Sequence, residues 1–581
     1  MALQLPQSGA WRRYLPWLLV GLVILLTVAI RFRLRETPLE RDEGEYAYAG
    51  QLILQGIPPY KLAYNMKLPG TYAAYALIMM VFGQTPSGIH IGLAVVNAIC
   101  IALMFLVARK VLDDAGAITA ALIFALMSIT PSVLGLAAHA THFVVACALA
   151  AILVLLNICE PKGQADTPQA AEQGPSTAVR RGRLQLFGAG LLFGLAILMK
   201  QHGIAFAAAG GIYLVRCRLQ QAGEAMPRKS PGRRQRIDRG RRNRFLLSLA
   251  GDVGLLALGG ILPYLVMCLI LTAAGVFHEF WFWTFSYARK YVSSIPMAEG
   301  PSYLRQTMGG IFADNPYFWI CLCLGAVVMW WDERLTRNTR FFLTLFTFCS
   351  IAAVSAGFYF REHYFIMLLP AVALINGVAV SRSLRLLRHD KTIELFLTVP
   401  ILLLILIGFG NAFVTFGSLW FTLSPTQASS KIYGSSIFSE ALKAAQIIRN
   451  HTGSEARIAV VGSEPEIYFY ARRKSVTGFV YTYPLMEAHD YALKMQEQMI
   501  RDIETAKPEY IVHVSYNLSW LAQASSETKI FRWWESYWIP NYNLEQTLNI
   551  TEDSPNASDA SNSGPEPDGK GGSYILVLKR K

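Results

Sequence analysis

Long apolar runs, separated by short basic or turn-forming stretches, dominate the first 420 residues. Runs of roughly 17 to 25 apolar residues are long enough to cross a bilayer as helices. They predict spans at about 14–30, 90–108, 115–135, 141–158, 246–273, 313–331, 341–358, 364–380 and 395–415. A shorter pair, 184–199 and 203–216, is split by Lys200, Gln201, His202 and Gly203 and reads as a two-span hairpin. The stretch 70–83 is apolar but short, a length more typical of a re-entrant or interfacial helix. Arg12 and Arg13 precede the first run and no small-residue cleavage site follows it, so it reads as a retained anchor.

After Leu423, Ser424 and Pro425 the pattern changes. An amphipathic helix at 437–450 precedes a strand at 457–462, and a helix at 486–505 precedes a strand at 510–514. A last strand is expected at 574–578, beyond a Ser-, Asn-, Asp-, Gly- and Pro-rich flexible loop at 551–573. This alternation predicts a small α/β domain within 421–581, following a membrane domain of 1–420. Gly462-Ser463-Glu464-Pro465-Glu466 follows the first strand, where such a domain can bind an anion. It lacks a glycine-rich phosphate-binding pattern, so a plain strand-to-helix turn is the other reading. The sequons at Asn450, Asn517, Asn549 and Asn556 carry meaning only in a eukaryotic host.

Composition narrows the class. The chain of 581 residues is 53% hydrophobic and only 16% charged, where ordinary soluble domains carry about 25% charged residues. That excludes a string of soluble domains, a disordered chain and collagen-like or disulfide-built scaffolds. The net charge of +14 raises the question of nucleic acid, and its location answers it. Loop 217–245 holds ten Lys/Arg against Glu224 and Asp238. Arg180, Arg181 and Arg183 end loop 159–183, and Arg382, Arg385, Arg388 and Lys391 fill loop 381–391. The positive-inside rule puts these loops, the N-terminus and Arg109-Lys110 in the cytoplasm. The count closes with about eleven spans if 70–83 does not cross. The outer face then receives 31–89, the turns near 136–140 and 200–203, loop 274–312, the corner 358–363 and the tail. The charge is a topology signal and an anchor to anionic lipid headgroups, and no nucleic-acid partner is expected. The eight cysteines lie in spans or at the cytoplasmic side, and no spacing reads as a zinc site.

The polar clusters that look chemically purposeful collect on the outer face. Arg41-Asp42-Glu43-Gly44-Glu45-Tyr46 follows the first span. Its acids are read either as helix-capping charges favoured by the macrodipole or as catalytic carboxylates. Tyr64-Asn65-Met66-Lys67-Leu68-Pro69-Gly70 places Lys67 at the entry to the short apolar helix, as a snorkelling anchor or as a functional cation. Arg361, Glu362 and His363 lie between two spans, as an ion pair tying helix ends or as a phosphate clamp. Loop 274–312 carries Trp281, Trp283 and Tyr287, suited to an interfacial belt or to covering a lipid or sugar.

Taken in order, the acidic pair after the first span, the lysine–proline entry and the apolar helix ending in Phe82-Gly83 resemble the family 39 glycosyltransferases. That family has the GT-C membrane fold and includes protein O-mannosyltransferases and aminoarabinose transferases. Gly190, Gly194 and Lys200, and the Tyr364–Leu374 run with Leu368-Leu369-Pro370-Ala371, extend the resemblance over about residues 10–420. It implies a polytopic α-helical membrane enzyme with an outer C-terminal α/β domain, in the bacterial inner membrane. Such an enzyme moves a sugar from a polyprenyl-phosphate donor to a lipid, glycan or protein acceptor, by inverting transfer. Asp42 matches the family's catalytic aspartate and Glu43 its second acid. Lys67 matches the lysine set against the donor phosphate, with Lys200 and Arg361 as further candidates. Glu45, Tyr64, His139, His142, Trp281, Trp283, Tyr287, Glu362 and His363 are expected to line the substrates. The sequence departs from many relatives at Ala138-His139-Ala140-Thr141-His142, where they carry an acid. No cofactor is assigned, and no ligand cluster for a divalent metal is evident. The rival reading is a transporter or flippase of lipid-linked sugars, kept open by Asp252 within a span.

Overall fold

A computed structural model describes residues 9–159, 175–224, 239–387, 392–552 and 572–581. The expected flexible loop and much of the three basic loops lie outside these residues. The chain is a multi-pass membrane protein. Its helices run α1 (Gly9–Arg33), α2 (Arg41–Leu54), α3 (Gly70–Phe82), α4 (Pro86–Val111), α5 (Asp114–Met127), α6 (Ala140–Cys159) and α7 (Pro175–Met199). They continue with α8 (Ile204–Glu224), α9 (Arg239–Ala273), α10 (Gly300–Asp314), α11 (Pro316–Trp331), α12 (Arg337–Ser355), α13 (Leu369–Leu386) and α14 (Thr392–Phe421).

The eleven expected spans map onto eleven of these helices in order, and among the described residues eight are individually long and apolar enough to cross. The other three differ for local reasons. Helix α5 stops at Met127 before a 3-10 turn at Pro131–Val133. Helix α8 loses its apolar character at Arg216 and Arg218. Helix α11 is the second half of a pair with α10, bent by 104° at Asn315-Pro316. Helix α3, with 13 residues, reaches only about 20 Å at 1.5 Å per residue, too short for a core of about 30 Å. Its face of Leu77, Met80 and Val81 is exposed, while Tyr72, Tyr75 and Met79 are buried. Asp252, the acid that kept the transporter reading open, pairs with Arg218 at 2.8 Å between α8 and α9.

Beyond the membrane helices come α15 (Ile437–His451), β1 (Arg457–Val461), α16 (Glu466–Ala471), β2 (Lys474–Ser475), α17 (Ala492–Ala506), β3 (Tyr510–Ser515), α18 (Lys529–Asn541), β4 (Tyr542–Asn549) and β5 (Tyr574–Arg580). They build a five-stranded sheet in the order β2-β1-β3-β5-β4. Strands β1, β2 and β3 are parallel, whereas β5 runs antiparallel to β3 and β4. Ala459 pairs with Ile511, and Val512 with Val577. The two-residue alternation divides the sheet into two buried faces. Ile458, Val460, Val512 and Val577 pack in one cluster with Tyr46, Leu52 and Tyr75 of α2 and α3. Ala459, Val461, Ile511 and Leu578 pack with Met495, Met499 and Trp534, and with Phe280 and Trp283 from the loop after α9. The C-terminal domain and the segment between α1 and α4 therefore share a core.

Candidate active site

Helix α2 begins where a capping box forms. Glu40 accepts from the Glu43 backbone N–H at 2.9 Å, and the Glu43 side chain faces the Glu40 N–H. This satisfies N-terminal donors that the helix cannot pair internally. Two of the acids of the Arg41–Tyr46 run then diverge. Glu43 is buried, its Oε1 accepting from the Ala138 N–H at 2.6 Å and facing His90 Nε2 at 3.0 Å. Asp42 keeps 23% of its side chain exposed. Lys67 Nζ donates to Asp42 Oδ1 at 2.8 Å and to Glu45 Oε2 at 2.6 Å, above the Tyr46 ring at 4.5 Å. Tyr72 donates to the other Glu45 oxygen.

The remaining oxygen, Asp42 Oδ2, faces His139 Nδ1 at 3.7 Å and His363 Nε2 at 3.9 Å. The two imidazoles stack with centroids 4.2 Å apart. His139 arrives there because its turn is pinned on both sides. Arg31 donates to the carbonyls of Ser128 and Gly135, and Tyr75 donates to the carbonyl of Ala138. Lys200 Nζ lies 3.4 Å from His363 Nε2 and 4.0 Å from the Tyr364 ring centroid. A helix-end lysine, two histidines and a carboxylate thus converge from α2, the α5–α6 turn, the α7–α8 corner and the α12–α13 corner.

Burial sets the electrostatics, and the neighbours decide the sign. Burial alone would raise Asp42, but the Lys67 cation holds its carboxyl well below the usual range. Burial also raises Glu45, only partly offset by Lys67. Burial works against charge in His139, yet the Glu40 and Asp42 carboxylates outweigh it and raise the imidazole. His363 is pushed well down by burial and by the cationic neighbours His139 and Lys200. Burial brings Lys200 down to about 7. The cluster thus holds an ionised carboxylate beside a neutral imidazole, which suits proton transfer.

Asp42, His139 and His363 each offer a ligand atom within 4.8 Å of the others. This is a cluster that could hold a divalent cation and that the sequence did not reveal, because its members are far apart in the chain.

Several expected lining residues lie elsewhere. Tyr64 stacks on Trp283 at 5.3 Å, with Phe479 edge-on. Both rings serve the joint between the first loop and the outer domain. Trp281 is half exposed and stacks on Phe285. Tyr287 is buried and donates to Glu487 Oε2 at 2.6 Å, while burial pushes the Glu487 carboxyl up to about 7. His142 is buried in the first turn of α6, where its backbone N–H donates to the His139 carbonyl at 3.1 Å. Glu362 points outward, and among the described residues Arg361 makes no ion pair with it. Arg361 instead stands at the rim near Tyr359.

The C-terminal sheet domain supplies what the sequence concealed. Arg41 Nη2 and Nε donate to Glu464 Oε1 at 2.9 and 3.2 Å. The turn weighed as an anion site therefore grips a side chain of α2 through its own buried glutamate. Tyr481 donates to Asp42 Oδ1 at 3.0 Å. No local signal marks Tyr481, since it lies 439 residues from its partner.

Residues 67–167 match the family of dolichyl-phosphate-mannose-protein mannosyltransferases. No curated protein matches the sequence. Among solved structures, ArnT from Cupriavidus metallidurans bound to undecaprenyl phosphate is similar over 98% of both chains, at 14% identity and a TM-score of 0.55. The oligosaccharyltransferase of Archaeoglobus fulgidus, tethered to an acceptor peptide, is similar over 87% of this chain and 70% of its own, at 13% identity and a TM-score of 0.50. A second structure of that archaeal protein contains dolichol-phosphate and an inhibitory peptide, and is similar at the same TM-score over 88% of this chain. In helix arrangement and outer sheet domain, the chain has the fold of the GT-C membrane glycosyltransferases.

Proposed function

We propose that the protein transfers a sugar from a polyprenyl-phosphate donor to an acceptor hydroxyl at the outer face of a bacterial inner membrane. The N-terminus then lies in the cytoplasm, and the sheet domain lies outside. The observation that carries this reading is the Asp42 carboxylate, kept ionised and partly open beside Lys67, Lys200 and the paired imidazoles. The likeness to a protein bound to undecaprenyl phosphate supports the donor class.

In the reaction, the acceptor oxygen bonds to the anomeric carbon while the bond from that carbon to the phosphate oxygen breaks. Asp42 Oδ2 takes the acceptor proton, and the polyprenyl phosphate leaves with the bonding pair. Lys67 has two of its three donors committed to carboxylates, so one remains for a phosphate oxygen. Arg361 adds positive charge at the rim, and Lys200, brought down to about 7 by burial, is drawn back to its charged form by the phosphate it meets, where the leaving group gains charge. Glu43, with Oε1 already engaged by His90 and Ala138, positions α2 and the His139 turn rather than the acceptor. The transporter reading has no supporting observation.

The test is Asp42→Asn in the reconstituted full chain. The donor is the radiolabelled polyprenyl-phosphate sugar fraction of the source cells, and the acceptor is their envelope extract. Loss of a general base predicts a rate lower by about 10²–10⁴-fold with folding retained. Wild-type transfer by that variant would remove Asp42 from the mechanism.

A further inference from the structure

The outer domain reaches the reacting carboxylate through one side chain. Tyr481 is nearly buried, and its hydroxyl donates to Asp42 Oδ1 at 3.0 Å. Lys67 Nζ donates to that same oxygen at 2.8 Å and lies 5.5 Å from the Tyr481 ring centroid. Two donors therefore fill Oδ1, while among the described residues Oδ2 faces the two imidazoles, at 3.7 and 3.9 Å.

The segment carrying Tyr481 is fixed at both ends. On one side, the Tyr64 N–H donates to the Gly478 carbonyl at 2.7 Å. On the other, the Thr482 N–H donates to Ser463 Oγ at 3.0 Å and the Thr482 hydroxyl to the Ser519 carbonyl at 2.9 Å. The Ser463–Glu464 turn in turn holds Arg41, next to Asp42. A tyrosine so restrained acts as a fixed donor rather than a mobile one.

We infer that Tyr481 is a positioning residue for the transfer step: it locks the rotation of the Asp42 carboxylate so that Oδ2 is presented to the acceptor. The outer domain is thereby a working part of the active site. This inference rests on the assignment of Asp42 as the base. A lone lysine cannot fix a carboxylate's rotation, because its ammonium donates equally well to either oxygen as the group turns. A second donor on the same oxygen, rooted in a different domain, removes that freedom.

The experiment compares Tyr481→Phe with Tyr483→Phe in the reconstituted full chain. The Tyr483 hydroxyl donates to the Leu518 carbonyl, so that variant removes a hydroxyl from the same segment without touching Asp42. Transfer from the radiolabelled polyprenyl-phosphate sugar fraction is measured alongside binding of undecaprenyl phosphate alone and the melting temperature. Tyr481→Phe is expected to lower kcat about ten-fold, with donor KM, undecaprenyl phosphate affinity and melting temperature unchanged. Tyr483→Phe is expected to leave kcat unchanged. A Tyr481→Phe enzyme with wild-type kcat overturns the inference. So does an equal fall in kcat and melting temperature for both variants, since the hydroxyl would then act only through stability. If Asp42→Asn is inactive while Tyr481→Phe is unaffected, only this inference fails. If Asp42→Asn is fully active, the assignment beneath it fails.

Discussion

Gly44 offers a direct probe of how closely α2 must sit against the outer domain. A Cβ built there would stand 2.6 Å from the Glu466 backbone nitrogen, 2.7 Å from its Cβ and 2.8 Å from its Cα. Ordinary contact begins at 3.4 Å, so Gly44→Ala is short by about 0.6–0.8 Å against atoms of the helix start, which cannot swing aside. Either α2 or α16 must retreat by that amount. Overpacking of this kind costs about 1–3 kcal/mol. Asp42 is two residues away on the same helix, so it moves with Gly44 relative to Tyr481. Misplacement by about 1 Å can cost on the order of 10²-fold in rate, and a fall of 10- to 100-fold in kcat is expected here. Melting temperature and transfer rate of the purified variant give the two readouts. Wild-type values for both would refute the close contact and the claim that the outer domain sets the position of Asp42.

Two further predictions address stability. Glu43→Ala leaves His90 and the Ala138 N–H without their buried acceptor, and a loss of about 3–5 kcal/mol in unfolding free energy is expected; a variant as stable as wild type would show that this clamp is idle. Glu487 has a folded pKa raised to about 7 by burial, above its unfolded value near 4.3. The folded state then binds more protons between these values, so stability falls as pH rises from about 4.5 to 7 and levels off above. Glu487→Gln should flatten that slope, and unchanged pH dependence of the unfolding midpoint would exclude Glu487 as its source.

The legible parts of the structure were those governed by local periodicity. Membrane helices showed in the length of apolar runs, and β1, β3 and β5 in short β-branched stretches close to the observed bounds. Strand β4, Tyr-Asn-Leu-Glu-Gln-Thr-Leu-Asn, escaped notice because six of its eight residues are exposed or polar at its edge position. Within the site, Asp42, Glu43, Glu45 and Lys67 were legible because they lie in two compact motifs near the first span. His139 and His363 were legible as candidates but not as a pair, since stacking across two corners leaves no trace in spacing. The grips of Arg41 on Glu464 and of Tyr481 on Asp42 depend on how two domains meet, which no local pattern encodes. The aromatic loop is read only in part: Trp283 packs on Tyr64 and Phe479, and Tyr287 donates to Glu487, contacts across a long sequence separation that composition does not show.

The strand order β2-β1-β3-β5-β4 makes completion of the sheet a late event in synthesis. Strand β5, the last of the five strands in sequence, lies between β3 and β4 and bridges them. Asp42 of helix α2, by contrast, emerges some 439 residues ahead of Tyr481. At synthesis rates of about 5–20 residues per second, Asp42 waits roughly 20–90 s for Tyr481, and longer for the strand that completes the sheet. A chain cut short by even one strand would carry every motif near its start and still lack the completed sheet on which its aim depends.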